Sequence, residues 1–330
     1  MQRLGWGVIG FGWVARDFAA PAILAAGGRL VAIADPDPQA RRAGAALGAN
    51  AHADMTAMLA DPGVQAIYVA TPNHLHRAGV EAAAAASIPV LCEKPMAATL
   101  ADAEAMANSV RHSGVAYGTA FDQRHHPSHS AMRQAIAAGA IGTLTAIRIV
   151  YACWVDDHFS ADNWRADLAR AGGGAMMDLA PHGLDLIDFL AAEPLVEVAA
   201  LTQRRVQPYA VDDGGVLIAR TASGVLAQLH IAYNCPEGLP RRRLEVIGST
   251  GQLLAENTMG QVAGGDVWLI DGATGRRERL AVPDAGTSPF TRQMEAFKQH
   301  LLAGPHPAFN LTRDLHTMRL LNRAYESAQP

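Results

Sequence analysis

The first third of the chain alternates short, continuous apolar runs with alanine-rich stretches of helical spacing. The apolar runs lie at 4–9, 30–34, 66–70, 89–92 and 115–119. Hydrophobicity on consecutive positions predicts strands buried on both faces. The stretches beginning at Val14, Pro38, Leu75 and Leu100 read as helices. Strand and helix in succession, up to residue 122, predict an α/β domain whose parallel sheet carries helices on both faces.

After residue 123 the pattern changes. Longer, more alternating strands are expected at 144–153, 195–204, 214–220, 225–233, 242–247 and 266–270, with short turns such as Ala222-Ser223-Gly224 and Ser249-Thr250-Gly251 between neighbours. Short glycine turns connect antiparallel strands, so 123–330 is expected to be α+β. Phe290, Met294, Phe297 and Leu301, then Leu311, Leu315 and Met318, recur at helical spacing and predict two closing helices.

Length and composition agree with two domains, since 330 residues at 50% apolar exceed one ordinary core. Lys and Arg total 27 against 31 Asp and Glu, a formal charge of -4, so no basic field exists to gather nucleic acid or anionic lipid. A small neutral or polar ligand is the expected partner. Cys92, Cys153 and Cys235 lack paired short spacing, which argues against a disulfide framework or zinc cluster, and no metal site is expected. The start MQRLGWGVIG lacks the features of an export signal, and no apolar run reaches the ~18 residues of a membrane span. A cytoplasmic protein is expected.

Gly10-Phe11-Gly12-Trp13-Val14-Ala15 follows the first strand and opens a helix, the context that a G-x-G-x-x-A dinucleotide fingerprint requires. Gly10 permits the turn, Gly12 admits a pyrophosphate, and Ala15 keeps helix and strand close. The helix N-terminus supplies N–H donors and partial positive charge, with Phe11, Trp13 and Val14 in the same loop. Asp35 ends the second strand, where a carboxylate binds ribose hydroxyls and repels a 2′-phosphate. NAD is therefore the expected cofactor, with NADP possible because Arg41 and Arg42 could reach a phosphate; both could equally be a solvated helix face.

Two further segments end strands of the same sheet, where ligands of parallel sheets bind. One is Thr71-Pro72-Asn73-His74-Leu75-His76 and the other is Cys92-Glu93-Lys94-Pro95. Thr71, Pro72, Asn73, His76, Glu93 and Lys94 are candidate cofactor contacts, although His74 and His76 could simply cap the loop. Much later, Gly172-Gly173-Gly174 leads into Asp178-Leu179-Ala180-Pro181-His182. Proline costs least in a helix's first turn, which puts Asp178 near a helix start and His182 one turn on.

At these residues the sequence resembles the glucose-fructose oxidoreductase and inositol dehydrogenase (Gfo/Idh/MocA) family, whose marks are the GxGxxA turn, a Glu-Lys-Pro segment and an Asp-x-x-x-His helix. The resemblance covers essentially the whole chain. It implies a Rossmann domain over 1–122 and, over 123–330, a substrate-binding domain with a large, mostly antiparallel sheet whose open face mediates oligomerisation, here as a homodimer or homotetramer. It also implies a cis bond at Lys94-Pro95. Within the family, His129 to Ile136, Trp164-Arg165 and Val211-Asp212-Asp213-Gly214 look closest to 1,5-anhydrofructose reductase-like and other sugar or polyol members. Those anhydrofructose enzymes favour NADP and carry small polar residues after the second strand, whereas this chain has Asp35-Pro36.

The chemistry follows from the residue types. Oxidising a secondary alcohol requires a proton acceptor beside the hydroxyl, and reduction requires the same group as donor. His182 suits that role, Lys94 suits stabilisation of charge on the oxygen, and Asp178 would orient the pair. Asp178 could otherwise be a helix N-cap, His182 a core histidine and Lys94 a surface charge. Family position places Trp164 and Arg165 near nicotinamide and substrate. Arg124 is expected either at the substrate or in an interdomain ion pair. Trp154, Asp156, Asp157 and His158 form another polar and aromatic group, suited to a sugar ring or to plain packing. The expected function is hydride transfer between a nicotinamide and a secondary alcohol or ketone of a sugar, polyol or anhydroketose. The alternatives are an NAD-dependent glycosidase, a redox-cycling enzyme, or a non-catalytic nicotinamide sensor on the same fold.

Overall fold

A computed structural model describes residues 3–155 and 163–328. The chain folds into two compact units, Met1–Ala120 with Phe290–Met318, and Phe121–Pro289 with Arg319–Pro330.

The first unit is built on six strands, β1 (Gly5–Ile9), β2 (Arg29–Ala34), β3 (Asn50–His52), β4 (Ala66–Val69), β5 (Val90–Glu93) and β6 (Tyr117–Ala120). They lie in the order β3-β2-β1-β4-β5-β6, and every pair is parallel. β1 and β4 are buried at every residue, as expected of strands covered on both faces. A π-helical turn at Ala15–Ala19 runs into α1 (Ala20–Ala25), followed by α2 (Pro38–Ala46), α3 (Met55–Leu59), α4 (His76–Ala85) and α5 (Leu100–Ser113). Local chemistry starts these helices: Asp37 accepts the Gln39 N–H ahead of Pro38, and Thr99 accepts the Asp102 N–H. α5 stops at Gly114 in the left-handed region, φ +70°.

The second unit opens with a 3₁₀ turn (Asp122–His125) and continues through α6 (Pro127–Ala137), β7 (Leu144–Ala152), α7 (Leu168–Ala171) and α8 (Ala175–Ala191). Then come β8 (Leu195–Gln203), β9 (Gly214–Thr221), β10 (Leu226–Ala232), β11 (Arg242–Gly248), β12 (Gly251–Glu256), β13 (Asp266–Asp271) and β14 (Arg277–Arg279). The eight strands form one sheet, β14-β13-β12-β11-β7-β10-β9-β8, antiparallel except where β10 pairs with β7. α8 packs on one face, and Gly183 permits the close approach: a Cβ there would lie 2.4 Å from Leu229 Cδ2. The opposite face leaves Leu201, Val216, Ile218 and Leu226 exposed.

The two closing helices are α9 (Pro289–Leu302) and α10 (Leu311–Ser327). Here the structure corrects the division at 122 and 123, because 290–318 belong to the first unit. The cause is aromatic packing. Phe297 is fully buried, 5.7 Å from the ring of Trp6 and 5.2 Å from that of Phe309, while Phe290 stacks on Phe18. The β6 strand keeps Gly118 beneath Phe309, and Asp314 accepts the Thr119 N–H at 3.0 Å. No helix among the described residues is long and apolar enough to cross a membrane.

Candidate active site

In the first unit, Gly10 takes φ +82° with its backbone against Ala70 and Thr71, so a Cβ would lie 2.8 Å from Thr71 N. Only glycine satisfies both demands. A Cβ on Gly12 would instead meet nothing within 4 Å. The turn is tied to the end of β2, because the Asp35 carboxylate accepts the Phe11 N–H at 2.7 Å and the Asp37 N–H at 2.8 Å. A carboxylate offers about four acceptor sites, so Asp35 can still receive ribose hydroxyls. Thr71 Oγ1 is buried with no hydrogen-bond partner among the described residues. Open space over Gly12, an acid at the end of β2 and an orphaned hydroxyl at the end of β4 fit a dinucleotide.

Other expected cofactor contacts have protein partners here. Phe11 donates its N–H to Asp35 and buries its ring in the core, whereas Trp13 is 40% exposed with its ring edge-on to Phe18. His76, expected at the cofactor, is a buried staple: Nδ1 lies 2.9 Å from Pro95 O and Nε2 3.0 Å from Thr71 O. It thus joins the loops that follow β4 and β5. Asn73, three residues earlier, is buried, Pro72 is half-buried, and His74 is exposed. Glu93 accepts from the Tyr68 hydroxyl and from the Lys94 N–H, and the Lys94-Pro95 bond is cis. Arg41 donates Nη1 to the carbonyls of Asp35 and Pro36 at 2.9 and 2.8 Å, folding its guanidinium over the loop after β2.

In the second unit, α8 begins at Ala175, three residues before Asp178, so Pro181 lies inside the helix rather than in its first turn. The expected start is too late because the cap comes from a distant side chain. Asp212 accepts the N–H groups of Gly174 and Met176, each at 2.8 Å, and the Tyr325 hydroxyl at 2.9 Å. Asp178 is therefore not the cap. Burial pushes Asp212 above the usual carboxylate range against those hydrogen bonds. Asp213, next in sequence, is held low by N–H groups of Gln207, Val206 and Arg205 that outweigh its desolvation.

Asp178 and His182 sit one turn apart on α8, on one face. Asp178 accepts the Tyr233 hydroxyl at 2.6 Å. Burial, and after it the Asp178 charge, push Tyr233 well above its ordinary value, so it stays a donor. His182 is buried, with Nδ1 3.0 Å from Asp122 Oδ1 and its ring edge-on to Tyr151 at 5.6 Å. Trp164 and Arg165 are half-buried, the guanidinium 4.4 Å from the indole centroid, and the Arg165 charge reaches Tyr233. Trp154 is exposed and bridges Asn234, while Asp156, Asp157 and His158 lie outside the described residues.

Arg124, expected at the substrate or between domains, is instead ion-paired within its own unit. Its Nε and Nη2 engage both oxygens of Asp185, and both side chains are buried. Sequence reasoning assigned no role to Tyr233, Tyr151 or Asp122, and quoted Asp212 only as part of a stretch. Their partners lie 30 or more residues away in sequence, so no local spacing signals them.

Comparison with known proteins supplies the chemistry that this geometry leaves open. A family described as oxidoreductases with an NAD-binding Rossmann fold matches residues 4–121, and the GFO/IDH/MocA C-terminal domain matches 129–254. The chain belongs to the GFO/IDH/MocA oxidoreductase family. It is 36% identical over 268 residues to 1,5-anhydro-D-fructose reductase of Ensifer adhaerens, covering 80% of this chain and 79% of that protein. Among solved structures, aldose-aldose oxidoreductase from Caulobacter crescentus, in complex with glycerol, superposes with a TM-score of 0.88 at 26% identity over 99% and 98% of the two chains. A levoglucosan dehydrogenase holding NADH and levoglucosan shares the fold at TM-score 0.87 and 23% identity, over 99% and 97%. The chain is thus an NAD(P)-binding oxidoreductase related to sugar dehydrogenases and reductases.

The cradle predicts that Gly12→Val leaves the melting temperature nearly unchanged and weakens NADH by roughly 10-fold or more, because the side chain fills ligand space rather than core. Fluorescence titration of NADH checks this, and unaltered affinity would contradict it. A second expectation concerns pH. Desolvation lowers buried His76 to about 4 and buried His129 to about 3, from an ordinary value near 6.5. The unfolded chain therefore binds these protons first, so their contribution is complete above pH ~7 and declines as pH falls. By pH 5 the loss is roughly 2 kcal/mol for each. Urea unfolding at both pH values measures it, and equal stabilities would contradict it.

Proposed function

We propose that this enzyme transfers a hydride between a nicotinamide and a secondary alcohol or ketone of a sugar, polyol or anhydroketose. The observation that carries this reading is α8, which presents Asp178 and His182 on one face with buried partners, in a family of NAD(P)-binding oxidoreductases. When bound, the nicotinamide accepts or supplies the hydride. His182 takes the hydroxyl proton in oxidation and returns it in reduction. Lys94 supplies positive charge for the reacting oxygen, and Asp178, held by Tyr233, balances the cationic state of the site. Trp164 and Arg165 form the aromatic and cationic edge for cofactor and sugar. Gly12, Trp13, Val14, Asp35, Thr71, Pro72, Asn73 and Glu93 line the cofactor cradle, and the charge of Asp35 favours NAD over NADP. Likeness to an aldose-aldose oxidoreductase gives a second reading, in which the hydride is handed back to another sugar and no reduced cofactor accumulates.

Homo-oligomerisation as a dimer or tetramer is proposed through the open face of the second unit's sheet. Leu201 is 75% exposed there, Ile218 61% and Leu226 57%, more apolar surface than isolated exposed residues account for. Sedimentation of the purified protein should give a dimer or tetramer, and Ile218→Asp should lower that mass; a wild-type monomer would contradict the proposal.

The function is tested by following reduced-nicotinamide absorbance with NAD or NADP against sugars, inositols and anhydroketoses. One of these should give net turnover, faster with NAD, and His182→Ala should cut it by ~100-fold or more while NADH affinity holds. Turnover unchanged in that variant would remove His182 from the mechanism.

A further inference from the structure

His182 is gripped from outside its own helix. Asp122, first residue of the 3₁₀ turn Asp122–His125, directs Oδ1 to within 3.0 Å of His182 Nδ1, with both side chains under 10% exposed. Its second oxygen is fixed separately, since Gln123 Nε2 donates to Oδ2 at 2.9 Å and is itself anchored on Gly260 O at 2.9 Å. The same turn is bolted to the same helix a second time: Arg124 forks onto Asp185, three residues beyond His182. A buried guanidinium and carboxylate lose hydration, so such a pair fixes geometry more surely than it adds stability. Its effect here is to hold Asp122 opposite the imidazole.

We propose that Asp122 is the positioning residue of His182, holding the proton on Nδ1 so that Nε2 exchanges the substrate proton. This rests on the reading of His182 as the acid-base group. A carboxylate beside one ring nitrogen selects the tautomer protonated there and fixes the ring plane, leaving the other nitrogen as acceptor. The contact is close but not in hydrogen-bond alignment, and catalytic hydrogen bonds commonly tighten only when substrate binds. The other groups around the imidazole do not compete for Nδ1. Tyr151 from β7 meets it edge-on, and burial keeps that phenol protonated. Asp178, one turn back on α8, receives the Tyr233 hydroxyl, and Asp185, on the next turn, is neutralised by Arg124.

The test uses the whole enzyme with its cofactor and the substrate found by the panel. Asp122→Asn is expected to lower kcat by at least ~10-fold with a smaller change in KM and no change in NADH affinity, and Asp122→Glu to recover part of the loss. In a His182→Ala background the same substitution should cost less than ~2-fold, because a group acting through His182 has nothing left to position. Nitrogen NMR of histidine-labelled wild type, with the His182 signal assigned by its loss in His182→Ala, should show the Nδ1–H tautomer. Equal losses in the two backgrounds, or an Nε2–H tautomer in the wild type, would overturn the proposal. The NMR arm decides it even if Asp122→Asn fails to fold. A His182→Ala enzyme of full activity would instead overturn the acid-base reading beneath it.

Discussion

The seating of α8 by Asp212 is the constraint on which the placement of that helix's polar residues depends. A helix start leaves N–H groups without intrahelical acceptors, and here two of them, from Gly174 and Met176, end on one half-buried carboxylate that also receives the Tyr325 hydroxyl. The fit admits no variation at Gly174, whose Cβ would lie 2.0 Å from the Asp212 carbonyl oxygen. Because the helix start is fixed, the positions about one, two and three turns on are fixed as well. Those positions hold Asp178, His182 and Asp185, and each meets a partner from another element.

The first unit uses the same device at another scale. Asp35 draws the glycine turn onto the end of β2 through the Phe11 N–H, so the carboxylate suited to a ribose also shapes that turn. The His76 imidazole then ties the loops after β4 and β5 together by meeting the carbonyls of Thr71 and Pro95. In both units, polar side chains at element ends set where the neighbouring polar residues stand.

Much of this was legible in the sequence because the signals are local. The glycine turn, the buried strands and the i, i+4 spacing of Asp178 and His182 all lie within single elements. The short strands β3 and β14 and the strand β12 carry too little periodicity to announce themselves, and α3 spans only five residues. Asp122, Tyr233 and Asp212 were invisible as partners because only the fold brings them to α8. The return of 290–318 to the first unit was likewise hidden: an amphipathic pattern shows that a helix must bury a face, not which face it finds. The sequence leaves His76 open between cofactor and loop cap, and Arg124 between substrate and ion pair, since a polar residue near a site looks alike whether it meets ligand or protein.

The central claim is that a hydrogen leaves a sugar carbon and stays on the nicotinamide, with the proton managed by α8. It is tested most directly by incubating the enzyme with NAD and a substrate deuterated at the oxidised carbon, then weighing the cofactor. The account predicts that the deuterium accumulates on the nicotinamide ring as turnover proceeds. Deuterium found only in a second sugar product, or in solvent with the cofactor unlabelled, would contradict it.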